Sequence, residues 1–221
     1  MTEPKQRDWA EWHKPYDDEG SYLSRRLAAV KAAIAEFLDR SPAGPIRVLS
    51  VCAGEGRDLL EVLPGHPRRA DVSARLVELD PRLVERARAA AAAAGLDAVE
   101  VVEGDASPTT AYDGIAPADL LLVCGVFGNI SEADIEHTVR SLPSMCRPGA
   151  TVVWTRHRVE PDVTPSVRGW FVDAGFEELS FTGPEDAKFG VGVNRLTAPP
   201  QPFVSGLQLF EFVGDGADAN R

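Results

Sequence analysis

Cysteine, methionine and long apolar runs are scarce in this chain, and its positive charges are outnumbered. Three of its 221 residues are cysteine and two are methionine. Cys52, Cys124 and Cys146 cannot all pair within one chain, and their spacing fits no zinc-binding pattern. Two of them sit in apolar, strand-like runs, the usual setting of small buried thiols in a reducing compartment. No run of about 18 apolar residues occurs, which excludes a transmembrane helix. Met1 to Asp18 is polar and has no apolar signal-like stretch, so a cytoplasmic protein is expected. Lys and Arg number 23 against 34 Asp and Glu, a net charge of −11. The basic pairs Arg25-Arg26 and Arg68-Arg69 are isolated and form no stripe along which a phosphate backbone would lie. Nucleic acid and membrane surfaces are therefore not expected as partners. A small molecule is.

With 44% hydrophobic and 26% charged residues, the chain has the composition of one globular domain with a short appendage. Ser21 is placed to cap a helix over about Tyr22–Asp39, with Leu23, Leu27, Val30, Ile34 and Leu38 on one stripe. Ser41-Pro-Ala-Gly-Pro45 then separates an N-terminal helical segment, 1–45, from a main domain, 46–213. Residues 214–221 form an acidic tail expected to fray. Within the main domain, strand-like runs at Ile46–Cys52, Ala74–Leu79, Val99–Glu103, Asp119–Cys124 and Thr151–Thr155 alternate with helical segments. Asp119-Leu-Leu-Leu-Val-Cys124 is almost wholly apolar, as a strand is when helices cover both faces of a parallel sheet. The pattern predicts a doubly wound, mostly parallel α/β fold. Phe176–Thr182, Phe189–Leu196 and Leu207–Val213 read as strands with no helix between them, so an antiparallel hairpin is expected at one sheet edge.

Three segments carry chemistry. In Val48-Leu-Ser-Val-Cys-Ala-Gly-Glu-Gly-Arg-Asp-Leu59 a buried strand enters a glycine-bearing turn and then a helix, so the backbone can approach a ligand closely. A dinucleotide site needs a third glycine three residues after Gly56, and Leu59 stands there. In Arg75-Leu-Val-Glu-Leu-Asp-Pro81 an acid ends the second strand, where nucleoside-binding folds grip ribose hydroxyls. Asp80 precedes a proline and is the natural N-cap, which leaves Glu78 for the ribose. The plainer alternative is that both acids decorate a helix start. In Val101-Val-Glu-Gly-Asp-Ala106 a carboxylate, Asp105, follows the third strand at the same sheet edge, as a ligand for an exocyclic amine or as an ordinary loop residue.

Together these segments resemble the class I S-adenosylmethionine-dependent methyltransferases, over roughly Ile46 to Thr155. Pro148-Gly149 before the fifth strand also looks like that family's turn. The resemblance implies a Rossmann-like, seven-stranded sheet and S-adenosyl-L-methionine as cofactor. It places Ala53, Gly54, Glu55 and Gly56 on the methionine part, Glu78 and Leu79 at the ribose, and Asp105 with Ala106 at the adenine. Cys124 and Gly125 complete the cofactor set. Trp12-His-Lys-Pro-Tyr-Asp-Asp18 looks like the segment that folds over the cofactor in small-molecule members, which brings in Tyr16. The family usually has an acid at Ser50 and a glycine at Cys52. That acid helps hold the glycine loop and the cofactor's amino group; Glu55 or Asp58 is the candidate replacement.

An acceptor is expected beyond the carboxyl ends of the strands, beside Cys124-Gly-Val-Phe-Gly-Asn-Ile130 and Thr155-Arg-His-Arg158. Phe127, Asn129 and Arg156 are the candidate substrate-binding residues. Phe127 equally suits the core, and Asn129 or Ser131 suits a helix cap. His157 is the candidate base, with a surface loop position as the plainer reading. No metal ligands are expected, since no aspartate stands where a magnesium catechol-type site needs one. Neither Asn-Pro-Pro-Tyr nor a Pro-Cys nucleophile occurs. The reading is an enzyme that methylates a small molecule by direct in-line transfer. The alternatives are a non-catalytic S-adenosylmethionine- or S-adenosylhomocysteine-binding module acting through a partner and, more remotely, a nucleotide-dependent oxidoreductase.

Overall fold

The computed structural model describes residues 14–18, 20–184 and 188–213. The expected tail over 214–221, and Trp12 and His13 of the covering segment, lie outside the described residues. After a 3-10 turn at Lys14–Asp17 comes helix α1, Tyr22–Arg40, whose N-cap Ser21 accepts from Ser24 N at 3.0 Å. Its buried stripe is Leu23, Arg26, Val30, Ile34 and Leu38, so an arginine fills a place expected for Leu27.

The strands are β1 Ile46–Val51, β2 Val72–Glu78, β3 Val99–Glu103, β4 Ala118–Val123, β5 Cys146–His157, β6 Phe176–Thr182 and β7 Phe189–Leu196. Their helices are α2 Arg57–Leu60, α3 Pro81–Ala93, α4 Glu132–Ser141 and α5 Thr164–Asp173. They form one seven-stranded sheet in the order β3-β2-β1-β4-β5-β7-β6. The pairs β3-β2-β1-β4-β5 are parallel, and β7 runs antiparallel to both β5 and β6. The expected doubly wound sheet with a hairpin at one edge is borne out.

Alternation sorts the core. Leu120 and Leu122 pack with Val30, Ile34 and Leu38 of α1, Leu59 of α2 and Val84 of α3. Leu121 and Val123 pack on the other face with Ile135 and Val139 of α4 and Val167 and Phe171 of α5. That is the period of two that a strand imposes. β7 lies beside Trp154 because residue 192 is glycine. A Cβ there would fall 2.2 Å from the indole, while the indole N–H donates to Asn194 Oδ1 at 2.8 Å.

One expectation is corrected. Leu207–Val213 is not a strand of the sheet, because its partners are loops and helix α4. Residues 199–213 form a strap across the α4 side of the carboxyl edge. Leu209 N donates to Ser107 O and Val213 N to Asn129 O, with isolated bridges Pro108–Gln208 and Ile130–Phe212. Leu209 and Phe210 are fully buried in the core. No helix among the described residues is long and apolar enough to cross a membrane.

Candidate active site

The glycine turn is held from two sides. Gly56, at φ 66°, is the N-cap of α2, and a Cβ on it would lie 2.6 Å from Leu76. The position therefore requires glycine both for its backbone and for its packing on β2. Cys52 takes the left-handed conformation at φ 54° without being glycine. Ala53 N donates to Val77 O at 2.9 Å, tying the turn to β2.

Glu78 is the second tie. Its Oε2 accepts from Gly54 N at 2.8 Å, and its Oε1 from Leu79 N at 2.8 Å and Asp80 N at 2.9 Å. A carboxylate offers about four acceptor sites, so one remains, on Oε2. Asp80 caps α3, accepting from Arg82 N at 2.9 Å, and pairs with the Arg82 guanidinium at 2.7 Å. At the next strand end, exposed Asp105 uses Oδ1 for Ser107 N at 2.8 Å, and Ala106 O accepts from Tyr112 at 2.9 Å. Burial first, then the charges of Glu78 and Asp105, push the Cys52 thiol well up. The side chains of Glu78, Asp105 and Cys52 thus converge at one end of the edge. Leu79 is exposed beside them. At Gly104 and Gly125 a Cβ would meet nothing within 4 Å. The backbone there fronts open space of the kind a ligand needs.

On the other side of the turn lie Tyr16, Arg26, Asp58, Cys124 and His157. Arg26 donates to the Tyr16 hydroxyl, and the guanidinium groups of Arg26 and Arg57 lie 5.9 and 6.0 Å from the Tyr16 ring centroid. Arg57 also binds Asp17 at 2.8 Å and Glu55 at 2.5 Å. The 3-10 turn is thereby fastened onto the glycine turn. Glu55 takes a second arginine, Arg86, at 2.6 Å. Burial alone raises its pKa, but these hydrogen bonds outweigh it and hold the carboxyl below its ordinary value. Asp58 differs. It is 8% exposed, and burial raises its pKa to about 6. Leu59 N donates to its Oδ1 at 2.8 Å, and its own amide is the other backbone donor to it.

The candidate acceptor side is built on β4 and β5. Gly125 N donates to Thr155 Oγ1 at 2.8 Å, and Asn129 Nδ2 to Gly125 O at 2.7 Å. Asn129 thereby folds its own loop, while Ser131 caps α4 through Asp134 N at 3.1 Å. Phe127 is fully buried, 6.0 Å from Trp154 between ring centroids. In this conformation it backs the site from the core and offers no surface to an acceptor. Arg156 is 1% exposed, and its Nη1 lies 2.6 Å from His157 Nε2. A guanidinium only donates, so Nε2 accepts and the ring proton resides on Nδ1. That Nδ1 is buried without a hydrogen-bond partner among the described residues. Burial, and then the Arg156 charge, lower the His157 pKa to about 4. The imidazole is neutral at physiological pH. Its lone pair faces a cation, so the group is fitted to donate a hydrogen bond rather than to take a proton.

The structure thus brings Ala53, Gly54, Gly56, Glu78, Asp105, Ala106, Cys124 and Gly125 to one edge of the sheet, with Tyr16, Arg156 and His157 beside them. The Glu55 side chain turns away toward α3. Sequence reasoning missed Arg26, although it stands four residues before Val30 on the series that continues through Ile34 and Leu38.

Comparison with known proteins gives the same architecture. A family model described as "Putative methyltransferase" matches residues 24–168. No curated protein matches the chain by sequence. Among solved structures, the 1,6-didemethyltoxoflavin-N1-methyltransferase of Burkholderia thailandensis, with 1,6-didemethyltoxoflavin and S-adenosylhomocysteine bound, is 16% identical. Its TM-score is 0.61, over 90% of this chain and 94% of that one. The CurJ carbon methyltransferase is 13% identical with a TM-score of 0.69, over 86% of this chain and 59% of that one. An O-methyltransferase family protein from Burkholderia thailandensis is 16% identical with a TM-score of 0.59, over 86% and 69%. At these identities the likeness is one of fold.

Proposed function

Because the chain belongs to this family of methyltransferases, we propose that it methylates a small molecule with S-adenosylmethionine, by direct in-line transfer. The observation that carries the reading is the convergence of Glu78, Asp105 and the glycine turn at adjacent strand ends, beside backbone open at Gly104 and Gly125. Nucleoside-binding sheets of this kind bind at their carboxyl edge. When bound, the cofactor supplies a methyl group on a sulfonium that is its own leaving group. The residues have the remaining tasks. The Ala53–Gly56 backbone lines the cofactor, the open acceptor site on Glu78 Oε2 takes a ribose hydroxyl, and Asp105 Oδ2 takes an exocyclic amine.

Alignment is the main catalytic contribution left to the protein. His157, held from behind by the buried Arg156, orients the acceptor next to Cys124 and Gly125, its Nδ1–H turning to an oxygen or a negative charge as the acceptor enters. A small acceptor fits the net charge of −11, which opposes a polyanion. The neighbour with 1,6-didemethyltoxoflavin bound supports the same size class. Calorimetric titration is the first test, with S-adenosylhomocysteine binding and NADH inert. Transfer of labelled methyl into a panel of phenols, amines and carboxylic acids follows. Cofactor binding with no acceptor in any such panel favours the module that acts through a partner, and tight NADH binding sinks the reading.

A further inference from the structure

We infer that the cofactor's methionine end is held by a clamp of opposite charges, with Asp58 taking the ammonium group and Arg26, together with Tyr16, the carboxylate. The inference rests on the cofactor reading above. It locates the counter-charge that Ser50, standing where an acid is usual, does not provide.

The three groups meet for geometric reasons. Ser50 alternates along β1 with Leu49 and Val51, which pack on the α4–α5 side, so it faces the side covered by α1 and α2. Ser50 is 2% exposed. Asp58 belongs to α2 and Arg26 to α1, the two helices on that face. α1 has 19 residues and β1 six, lengths of ~28 Å and ~20 Å. Only residues 41–45 join them, so the helix and the strand run in opposite directions. The first turns of α1 therefore overhang the carboxyl edge, and Arg26 is buried there at the head of the apolar stripe.

Asp58 is built for a ligand rather than for its helix. The N-cap of α2 is Gly56, and an N-cap side chain accepts from the second or third residue beyond it. Asp58 accepts from its immediate neighbour and its own amide, not from the positions an N-cap serves. It forms no ion pair with any described residue, and two backbone amides leave part of its acceptor capacity unused. Glu55, the other candidate, already holds two arginines. Arg26 is close enough for its charge to act on Asp58, Cys124 and His157. Tyr16, Cys124 and Glu61 also feel or supply charge around Asp58. Arg26 is the cation of this group, and the Tyr16 hydroxyl touches it directly.

The test pairs a change in the protein with a change in the ligand. Binding of S-adenosylhomocysteine is compared with that of its analogue in which the amino group is replaced by hydrogen. The wild type should prefer the amino form about ten- to a hundredfold, the scale of a charge-assisted hydrogen bond. Asp58→Asn should bind the analogue as the wild type does but lose most of that preference. Adding Ser50→Asp should restore part of it, which no folding defect would do. Arg26→Gln should weaken S-adenosylhomocysteine while leaving 5′-methylthioadenosine, which lacks both charged groups, unchanged. An equal preference in wild type and Asp58→Asn overturns the inference, as does an equal loss of both ligands in Asp58→Asn. Failure of the wild type to bind any of these adenosine ligands overturns the cofactor reading itself, a different result.

Discussion

Two acids flank the glycine turn, and they are treated in opposite ways. Glu78, at the end of β2, has most of its acceptor sites filled by the backbone, with three amide N–H groups donating to its two oxygens. Asp58, in α2, is equally buried at 8% exposure but takes one neighbouring amide and its own. A buried carboxylate with most of its acceptor sites filled braces the fold. One with sites left over costs the fold free energy until something charged arrives. One turn is thus flanked by an acid that braces it and an acid left with acceptor capacity to spare.

The largest test of that contrast is Glu78→Ala. It strands three backbone donors, each worth about 1–3 kcal/mol where it stays buried. Urea melts should show a loss of about 3 kcal/mol or more, with weaker S-adenosylhomocysteine binding alongside. If binding falls while stability holds, Glu78 is a ligand acid and the contrast collapses.

Asp58→Asn should move stability the other way. The pKa of Asp58 is raised from 3.8 to about 6, so the fold disfavours its charge. Wild-type stability is then lost as pH rises from about 4 through about 6, and above that window the carboxylate is a liability. At pH 7.5, without ligand, the amide variant should be more stable by about 1–3 kcal/mol. The gain should vanish below pH 4. A destabilised variant at pH 7.5 would make Asp58 a structural acid like Glu78.

His157 sharpens the comparison further. With its pKa lowered to about 4, turnover should show no inflection near 6.5. His157→Gln should reduce turnover about tenfold, the worth of one orienting hydrogen bond, with cofactor affinity held. An inflection near 6.5 that disappears in the variant would restore His157 as a base. The smallest effect belongs to Asp80→Ala, which removes an ordinary cap. A loss of about 1 kcal/mol in thermal unfolding is expected, without a change in affinity.

The parts of this arrangement written in local sequence were legible there. Strand runs, the glycine turn, the Asp80 cap before Pro81 and the acids at the strand ends all follow from short-range rules. What escaped was decided by distant partners. Arg26 is buried because α1 outruns β1 and because Tyr16 meets it. Phe127 was open to two readings, and Trp154, a residue of the next strand, determines which one holds. Leu207–Val213 has the composition of a strand, yet it lies on loops because the sheet edges are elsewhere. The brace made by Glu78 was hidden for the same reason, since an acid followed by a helix cap does not announce which amides lie beneath it.

The strap over residues 199–213 also sets an order in time. Thr109 bonds to Val204 O and Leu207 N, 95 and 98 positions further along the chain, and Ser107 to Gln208, 101 positions further. Contacts so distant close late, because the chain must first surrender the freedom of the intervening loop. On the ribosome, the loop over 104–109 emerges long before the segment that fixes it. Each molecule therefore passes through an interval in which the sheet can form while the site is still unfinished.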